Sequence, residues 1–424
     1  MSKDFRENRS LIWVWRCAEN PKGAPSTSGG VTLPLDSGSG LTLKRATEDD
    51  ADEVSGREGP FQLFRTACAA AGKLKQKRAR PDFCLWSLAY FFGCSTAESA
   101  GTGAYKHAIR PLEGPDHPSF TLCQRRGESI MKERYAHNLV EGFTLSLGDA
   151  WVGMDTEVTG AGIRDVNYMR ETARAAENAT SLTLAANAVE GDSAAERLEN
   201  VRLVRAKLTG DVKWTSVAVT AVSGDAPAIL SITAPGAGTG QIDYEIYYHP
   251  SEADCFDPPN TLDESPLRLA EAKVVIDGYF DGSDVSGGVN LGAELISCEV
   301  SGANKIAVEH APDGSGALFA TQSYRESRSI TIKTARRFRD IVRQVHADDN
   351  EIISVLFRVR GAEIAGSGGV KYGFDLVFPR VGIVDVPIVV KDKILAEEGD
   401  LRVLCDPVYG MGRVFGWNTV SQYL

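Results

Sequence analysis

The sequence predicts a mainly β protein that contains a packed helix and an inserted β-sandwich of immunoglobulin or fibronectin type. Glycine is abundant, with 42 residues in a chain of 424. Glycine is disfavoured inside helices and supports the tight turns of β folds. Short segments in which polar and apolar residues alternate recur along most of the chain, as expected for half-buried strands. Only a few windows have apolar residues at helical spacing.

The length predicts more than one domain, because a single core rarely serves a chain of 424 residues. Five strand-like segments with Gly/Pro turns follow one another from Ser181 to Pro250, the pattern of a small sandwich. We therefore expect a first domain part at 1–177, an inserted sandwich at 178–262 and a second part at 263–424. The alternative is that these strands extend one larger sheet.

The net charge of -11 argues against a protein that grips nucleic acid by neutralising phosphates. It is compatible with a surface that DNA slides past. The eight cysteines show no C-x-x-C pair and no metal-ligand spacing, so we interpret them as free thiols. The N-terminus has no apolar signal segment, and no apolar run approaches the roughly 18 residues of a membrane span. We expect a protein of the reducing cytosol without a membrane span.

Two oppositely charged runs flank a segment that is predicted to be a long loop. This loop follows the strand "SLIWVW" and extends over about residues 20–59. It carries the acidic run "EDDADE" (Glu48–Glu53), and the basic run "KLKQKRAR" (Lys73–Arg80) follows it. The two runs are suited to contact each other, within one subunit or between two. The alternative is a pair of solvated faces that contribute little energy.

Three segments are predicted to be helical. "FCLWSLAYFFG" (Phe83–Gly93) has buried-helix spacing and ends in a glycine suited to a C-cap. "IRDVNYMRETARAAENA", from Ile163, is a short helix candidate. "ARRFRDIVRQVHADDN", residues 335–350, has an apolar stripe and a face rich in arginine. That face is interpreted as solvated or inter-subunit, in preference to phosphate-binding.

The segment "GTGAYKHAIRPLEGPDHPSFTL" raises the question of a metal or catalytic cluster, because it holds His107, Glu113, Asp116 and His117. Its two ends alternate as strands do, and three prolines and Gly114 separate them. No spacing places two ligands on one element. The pattern predicts a hairpin with a rigid turn.

Motifs that carry chemistry are missing from the sequence: there is no phosphate loop, no H-E-x-x-H and no G-x-S-x-G. "PGAGTGQ", from Pro235, is interpreted as a turn between strands. Asp277, Asp281 and Asp284 are suited to calcium, but a polar turn between strands is the preferred interpretation. We therefore predict no catalytic residue, no metal and no cofactor.

The order of these segments resembles that of the tail tube (major tail) proteins of long-tailed bacteriophages. "YKHAIRPLEGPDHPSFTL" and "NLVEGFTLSL" resemble the first half of that family. "LAEAKVVIDGYF", "LGAELISCEVSG", "SYRESRSITIKTARRFRD" and "KYGFDLVFPRVGI" resemble its closing strands. The resemblance covers about the first 165 residues and those from about 265 onward, so the predicted sandwich looks like an insertion.

This resemblance implies a non-enzymatic structural protein of the virion tail, synthesised in the host cytoplasm. Members of the family have a tail-tube-type β-sandwich or barrel and form rings, commonly hexamers, which stack into the conduit for DNA ejection. The implied partners are further copies of the chain and other tail proteins, namely the tape measure, terminator and distal tail proteins. DNA would pass an acidic lumen without specific binding.

The resemblance also implies an interface between rings, because the long loop of the family contacts the next ring. By position, this interface would bring an acidic set against a basic set. The acidic set is Glu48, Asp49, Asp50, Asp52 and Glu53, and the basic set is Lys73, Lys75, Lys77, Arg78 and Arg80. Three alternatives remain. The first is a distal tail, baseplate or adhesion component with a glycan-binding sandwich. The second is a non-viral ring or injection-device component, and the third is a carbohydrate-active enzyme with a fibronectin-like module.

Overall fold

The chain is mainly β, as the sequence predicts. The computed structural model describes residues 7, 10–50, 62–127, 131–148, 150–208, 210–251, 256–310, 319–391 and 393–424. In these ranges it contains three α-helices, α1 (Pro81–Phe92), α2 (Ala194–Asn200) and α3 (Val342–Asp348). The chain divides into two compact units. The larger comprises Leu11–Leu122, Tyr135–Arg164 and Pro259–Leu424, and the smaller consists mainly of Cys123–Arg134 and Asp165–Pro258.

One extended strand system contains most of the strands. Those in the first half of the chain are β1 (Leu11–Trp15), β2 (Gly30–Leu33), β3 (Gly40–Asp49), β4 (Leu63–Gln76), β5 (Gly93–Gly101), β6 (Ala104–Pro111), β7 (Phe120–Arg126), β8 (Met131–Gly148), β9 (Trp151–Gly160) and β10 (Arg164–Val166). Strands β11 to β17 belong to the smaller unit and are described below. The strands in the second half of the chain are β18 (Ala272–Phe280), β19 (Val285–Asn290), β20 (Leu295–Glu309), β21 (Gln322–Arg337), β22 (Ile352–Glu363), β23 (Lys371–Asp385), β24 (Ile388–Lys391), β25 (Ile394–Val403) and β26 (Arg413–Asn418).

The strands of the larger unit form two antiparallel arrays. One array has the order β3–β4–β9–β8–β20–β21–β25. The other has the order β5–β6–β26–β23–β22–β18–β19. Strand β23 links them, because Gly373–Val377 pair with β26 whereas Val381–Ile383 and Asp385 pair with β25. The arrays are therefore continuous through one long strand.

Helix α1 fills the core of the larger unit, and every one of its residues is buried. It begins at Pro81, whose fixed φ suits the first helical position, and ends at Gly93, which adopts the left-handed conformation with φ 89°. The helix contacts β5, β6, β23 and β26 of the second array. Its Ser87 hydroxyl lies 2.7 Å from that of Thr156 on β9, in the first array. The helix therefore lies between the two arrays, and the predicted buried helix is confirmed.

The smaller unit is a two-sheet β structure with its own apolar core. Its strands are β11 (Met169–Ala176), β12 (Ser181–Thr183), β13 (Val201–Lys207), β14 (Thr215–Val217), β15 (Val219–Val222), β16 (Ile229–Ile232) and β17 (Gln241–Tyr248). One sheet has the order β11–β17–β13–β14 and the other β12–β16–β15. Because β11 pairs with β17 along its whole length, this sheet begins before residue 178.

Two of the helix predictions are wrong in part or whole. The segment from Ile163 forms β10 and β11 instead of a helix, because β11 finds a ladder partner in β17 and tertiary pairing overrides local propensity. The helix predicted over residues 335–350 is shorter, at Val342–Asp348. Arg336 and Arg337 lie in β21, where they pair with β25.

Two connection predictions are also corrected. The hairpin expected between the strand of His107 and the strand that follows His117 does not form. Strand β6 is hydrogen-bonded to β5 on one side and to β26 on the other. The loop predicted over residues 20–59 contains β2 and β3. Charged residues at the end of β3 had hidden its strand character, because they remain exposed on both faces of the ribbon.

Candidate assembly surface

Strands β3 and β4 form a hairpin whose inner half belongs to the core and whose outer half is exposed. Leu41 and Leu74 are buried near its base. Residues 45–49 and 63–66, which we call the arm, are exposed on both faces of the ribbon. Leu63 and Phe64 on the arm are 70% and 46% exposed. From Gly40 to Asp49 the ribbon extends about 30 Å, at roughly 3.3 Å per residue.

The acidic residues lie at the tip of the arm. Glu48 and Asp49 end β3 and pair in register with Phe64 and Leu63. The carboxylate of Asp50 accepts a hydrogen bond from the backbone amide of Gln62, at 3.1 Å. The two remaining acids of the predicted set, Asp52 and Glu53, lie outside the described residues. The tip thus combines negative charge with exposed apolar side chains.

The basic residues of β4 lie at the opposite end of the same ribbon. Lys73 pairs in register with Gly40 and forms an ion pair with Glu157. The hydrogen bond to Glu157 raises the pKa of Lys73. Lys75 is half-buried. Burial raises the pKa of the nearby Asp155 carboxyl, and the positive charges of Lys75 and Lys73 oppose this rise.

The rest of the basic run leads from β4 into helix α1. The backbone amide of Lys77 donates to the carboxylate of Asp36, at 2.5 Å. The guanidinium of Arg78 lies 5.6 Å from the ring centre of Trp151, and Arg80 is the N-cap residue of α1. Lys77 and Arg78 are exposed. The described acidic residues and the basic residues therefore lie at opposite ends of one hairpin, which sequence reasoning had not predicted.

A cavity of about 530 Å³ lies on the first array. The register aligns Ser146, Glu299, Lys333 and Asp400 across β8, β20, β21 and β25. All four residues line the cavity, together with further acids from β23 and β25. This cross-strand row joins residues separated by some 250 positions in sequence, so no local motif could reveal it.

The histidines of the opening motif serve two separate structural roles. His117 is buried, and its Nε2 lies 2.5 Å from the carbonyl oxygen of Tyr90, in the last turn of α1. Burial, assisted by Arg328 and Arg325, lowers the pKa of His117 to about 3. His107 Nε2 instead lies 3.0 Å from Asn418 Oδ1 on β26. The four residues of the motif therefore do not converge on one site.

Charged and polar side chains hold both ends of helix α1. At the N-terminus, the carboxylate of Glu264 accepts a hydrogen bond from the Asp82 backbone amide, at 2.8 Å. Burial raises the pKa of Glu264, and the neighbouring Asp82 carboxylate adds to this rise. At the C-terminus, Arg328 and the Asn304 amide donate to the carbonyl oxygen of Phe91, at 2.8 and 3.0 Å. Cations near a helix C-terminus complement its dipole.

Two of the three aspartates suited to calcium, Asp281 and Asp284, lie in the predicted polar turn. Asp281 accepts hydrogen bonds from the backbone amides of Ser283 and Asp284, both at 2.8 Å. This turn joins β18 to β19. Asp277 lies in β18, with φ 62°. Within the described ranges, no group of three or more His, Cys, Asp or Glu residues is arranged to hold a metal ion.

The arginines of the predicted third helix are partly internal. Arg336 and Arg343 are buried, and both donate to the buried carboxylate of Glu397. Arg339 is exposed and pairs with Glu294. The interpretation of these arginines as one solvated or inter-subunit face is therefore wrong for Arg336 and Arg343, which are buried within the chain. Strand pairing directs Arg336 toward Glu397, which lies on the neighbouring strand β25.

None of the seven described cysteines forms a disulfide bond. Burial raises the pKa of the Cys84 and Cys298 thiols. None of the described helices is both long enough and apolar enough to cross a membrane.

Comparisons with known proteins give a limited result. No protein-family model matches the chain, and no curated protein matches it. Among solved structures, the chain is similar to the Hcp1 protein from the E. coli EAEC 042 pathovar, in a mutant form. The two share 15% identity over 31% of this chain and 86% of that one, with a TM-score of 0.18.

Proposed function

We propose that this chain is a structural subunit which assembles with copies of itself into stacked rings and forms the tail tube of a long-tailed bacteriophage. The exposed arm of the β3–β4 hairpin carries this proposal. A two-stranded ribbon without a covering layer is marginally stable in water. Leu63 and Phe64 add exposed apolar surface at its tip. A partner that covers the arm would stabilise the two-stranded ribbon and would bury the apolar side chains of Leu63 and Phe64.

The distribution of charge favours another copy of the same chain as that partner. Acidic residues lie at the tip of the hairpin and basic residues at its base, about 30 Å apart. If the tip of one copy contacts the base of the next, the contact is head-to-tail. A head-to-tail contact that does not close on itself repeats into an open stack. This arrangement agrees with the predicted contact between the acidic and basic sets. Two members of the acidic set, Asp52 and Glu53, lie outside the described residues.

The polar row on the first array supports a role as conduit. Glu299 and Asp400 flank Lys333 in register, and further carboxylates line the same cavity. An acidic surface repels the phosphates of DNA at short range, and salt screens this repulsion beyond roughly 8–10 Å. We assign this face to the lumen, through which DNA would pass without specific binding. The same proposal includes hexameric rings and a location in the virion tail. Its further partners are the tape measure, terminator and distal tail proteins.

The test is negative-stain electron microscopy of the purified full-length chain over a concentration series, at low and at high salt. We expect hollow filaments of constant diameter with a regular axial repeat. Discrete rings that never stack would favour the distal tail or adhesion alternative. A chain that stays monomeric at every concentration would overturn the proposal and reopen the search for a glycan-binding or enzymatic site.

A further inference from the structure

The outer face of the four-stranded sheet in the smaller unit is rich in basic residues. Strands β11, β17 and β13 direct alternate side chains outward, because Tyr244 and Ile246 of β17 lie in the apolar core. The outward basic residues are Arg170 and Arg174 on β11 and Arg205 and Lys207 on β13, and the outward acidic residues are Asp243 and Glu245 on β17. We call this surface the cationic face.

The charge of the cationic face differs in sign from that of the segment which contains it. Residues 165–258 include fourteen acidic and seven basic residues. The cationic face has four of these basic residues and two of the acidic ones. It therefore carries a surplus of positive charge within a segment that is acidic as a whole. An anionic partner is attracted to this face and repelled by its surroundings, which selects both the sign of the partner and its place of contact.

Two arginines share one carboxylate at the centre of the cationic face. Glu245 is only 3% exposed, although it lies on the outer side of the sheet. Arg170 donates to its Oε1, and Nε of Arg205 donates to its Oε2 at 2.6 Å. A guanidinium has five N–H donors, and two guanidiniums offer more donors than one carboxylate can accept. Both arginines are partly exposed, so donors remain for the anionic groups of a ligand.

Aromatic rings hold the same two arginines in place. The guanidinium of Arg205 lies 5.0 Å from the ring centre of Trp214 and 5.8 Å from that of Tyr247. The guanidinium of Arg170 lies 6.0 Å from the ring centre of Tyr247. Rings and cations thus alternate in the order Trp214, Arg205, Tyr247, Arg170. Because cation–π contacts and Glu245 already order these long side chains, a ligand loses less binding energy to their immobilisation.

The geometry of the cationic face disfavours two classes of anionic partner. Single-stranded nucleic acid needs open ring faces on which its bases stack, whereas guanidiniums lie against both rings here. A protein partner usually meets an interface whose centre is depleted of charged residues. The centre of this face is instead formed by Glu245 and its two arginines. A polar polymer with anionic groups spaced along it remains as the matching partner.

We propose that the cationic face binds an anionic polysaccharide whose sugars carry carboxylate or phosphate groups. Guanidiniums bind either group through paired N–H donors, and sugar hydroxyls accept the donors that remain. The cations form two lines, on β11 and on β13, which lie about 10 Å apart because β17 separates them. Such lines suit an extended chain that lies on the open surface of the sheet. This inference does not depend on the proposed tube.

The first experiment titrates the full-length chain against fluorescein-labelled polymers and measures fluorescence anisotropy. Polygalacturonate presents carboxylates and poly(glycerol phosphate) presents phosphates, so these two arms distinguish the anionic groups. Dextran is the neutral control. Polyglutamate and single-stranded oligothymidylate represent an acidic protein and a nucleic acid. We expect at least one of the first two polymers to bind more tightly than the other three. Failure of both to bind, or tighter binding of polyglutamate or oligothymidylate, would overturn the proposal.

The second experiment reverses two exposed charges of the cationic face, in the double variant Arg174→Glu and Lys207→Glu. Both arginines that hold Glu245 are retained. We expect the affinity for the bound polysaccharide to fall by about tenfold or more, because two attractive contacts become repulsive. The matched control is Lys273→Glu with Lys371→Glu, which changes the net charge equally at exposed positions of the larger unit. An equal loss in the two double variants would show unspecific attraction and refute the site.

A third variant, Arg205→Lys, keeps the charge and removes the guanidinium. We expect a loss of affinity of about threefold or more, because an ammonium cannot form the paired hydrogen bonds. Thermal unfolding of each variant confirms that the chain is folded under the conditions of the titration. Unchanged affinity of a folded Arg205→Lys chain would contradict recognition by the guanidinium. Absence of tubes from the unmodified chain would overturn the tube function and leave this binding result as it stands.

Discussion

The guanidinium of Arg328 donates a hydrogen bond to the carbonyl oxygen of Phe91, 2.8 Å away, across 237 positions of sequence. The same guanidinium nitrogen also donates to the carbonyl oxygen of Phe92, at 3.1 Å. Arg328 thus links the β20–β21 pair to the C-terminal end of the core helix. Burial lowers the pKa of Arg328 to about 9, so the side chain remains charged at neutral pH.

Replacement of Arg328 should destabilise the larger unit. Arg328→Ala leaves carbonyl oxygens at the end of helix α1 without this donor, and we expect a loss of about 2–3 kcal/mol. Arg328→Lys should recover only part of it, because an ammonium does not match the planar guanidinium. Urea unfolding measures both values. The control is Arg339→Ala, which removes an exposed arginine and should leave the unfolding midpoint unchanged. Equal stability of Arg328→Ala and the unmodified chain would contradict the helix-end role.

His117 should make the protein sensitive to acid. Its pKa is about 3 in the folded chain and about 6.5 in an unfolded one. The unfolded state therefore binds the extra proton first as pH falls. The contribution of His117 to the unfolding free energy is therefore fully present above pH 6.5. Between pH 6.5 and pH 3 it falls by up to about 1.4 kcal/mol per pH unit. His117→Gln should flatten this slope in denaturant unfolding at pH 4–7. An unchanged slope would show that His117 does not titrate on unfolding.

Glu264 should have the opposite pH dependence. Burial and the nearby Asp82 raise the pKa of Glu264 in the folded chain. The unfolded state therefore releases its proton at a lower pH than the folded state does. This contribution to stability is present below pH 4.5 and declines as pH rises toward the folded value. Glu264→Gln should make stability less dependent on pH between 5 and 9. Glu363→Gln, at an exposed position, is the control and should retain the decline.

The charges of the hairpin should control the growth of the tube. Lys75→Glu combined with Lys77→Glu places acid opposite the acidic tip of the next copy, so filaments should become shorter or fail to form. Adding Glu48→Lys and Asp49→Lys should restore elongation, because the two charges are then exchanged. Filament lengths are measured by electron microscopy. Lys207→Glu with Lys213→Glu, in the smaller unit, is the matched control. Normal filaments from the first double variant would refute the charged contact.

Gly302 should be required for close packing around helix α1. A Cβ at this position would lie 2.7 Å from Cζ of Phe91 and even closer to the ring of Phe143. Gly302→Ala should therefore cost about 1–3 kcal/mol of unfolding free energy, as overpacked core positions do. Gly148→Ala, on β8, meets open space and should be close to neutral. Thermal unfolding of the two variants compares them directly. Equal melting temperatures would mean that the core relaxes around the added methyl.

Several elements were predictable from local sequence alone. Helix α1 follows from apolar residues at helical spacing between Pro81 and Gly93, because each end has a residue that favours that end. Helix α2 carried a readable signal as well. Ser193 and Glu196 form a reciprocal capping box at its start, which the sequence analysis did not use. The polar turn at Asp281 follows in the same way from the hydrogen bonds between near neighbours in sequence.

By itself, the sequence determined the β-rich class, the buried helix and the two oppositely charged runs, since these depend on composition and on residues a few positions apart. Tertiary structure decided that Glu48 and Asp49 lie at the tip of the arm and that the basic residues lie at the opposite end of the hairpin, because the register of β3 against β4 sets those positions. It also decided the roles of His117 and Arg328 at the end of helix α1. These arrangements depend on strand pairing between distant segments, for which periodicity carries no information.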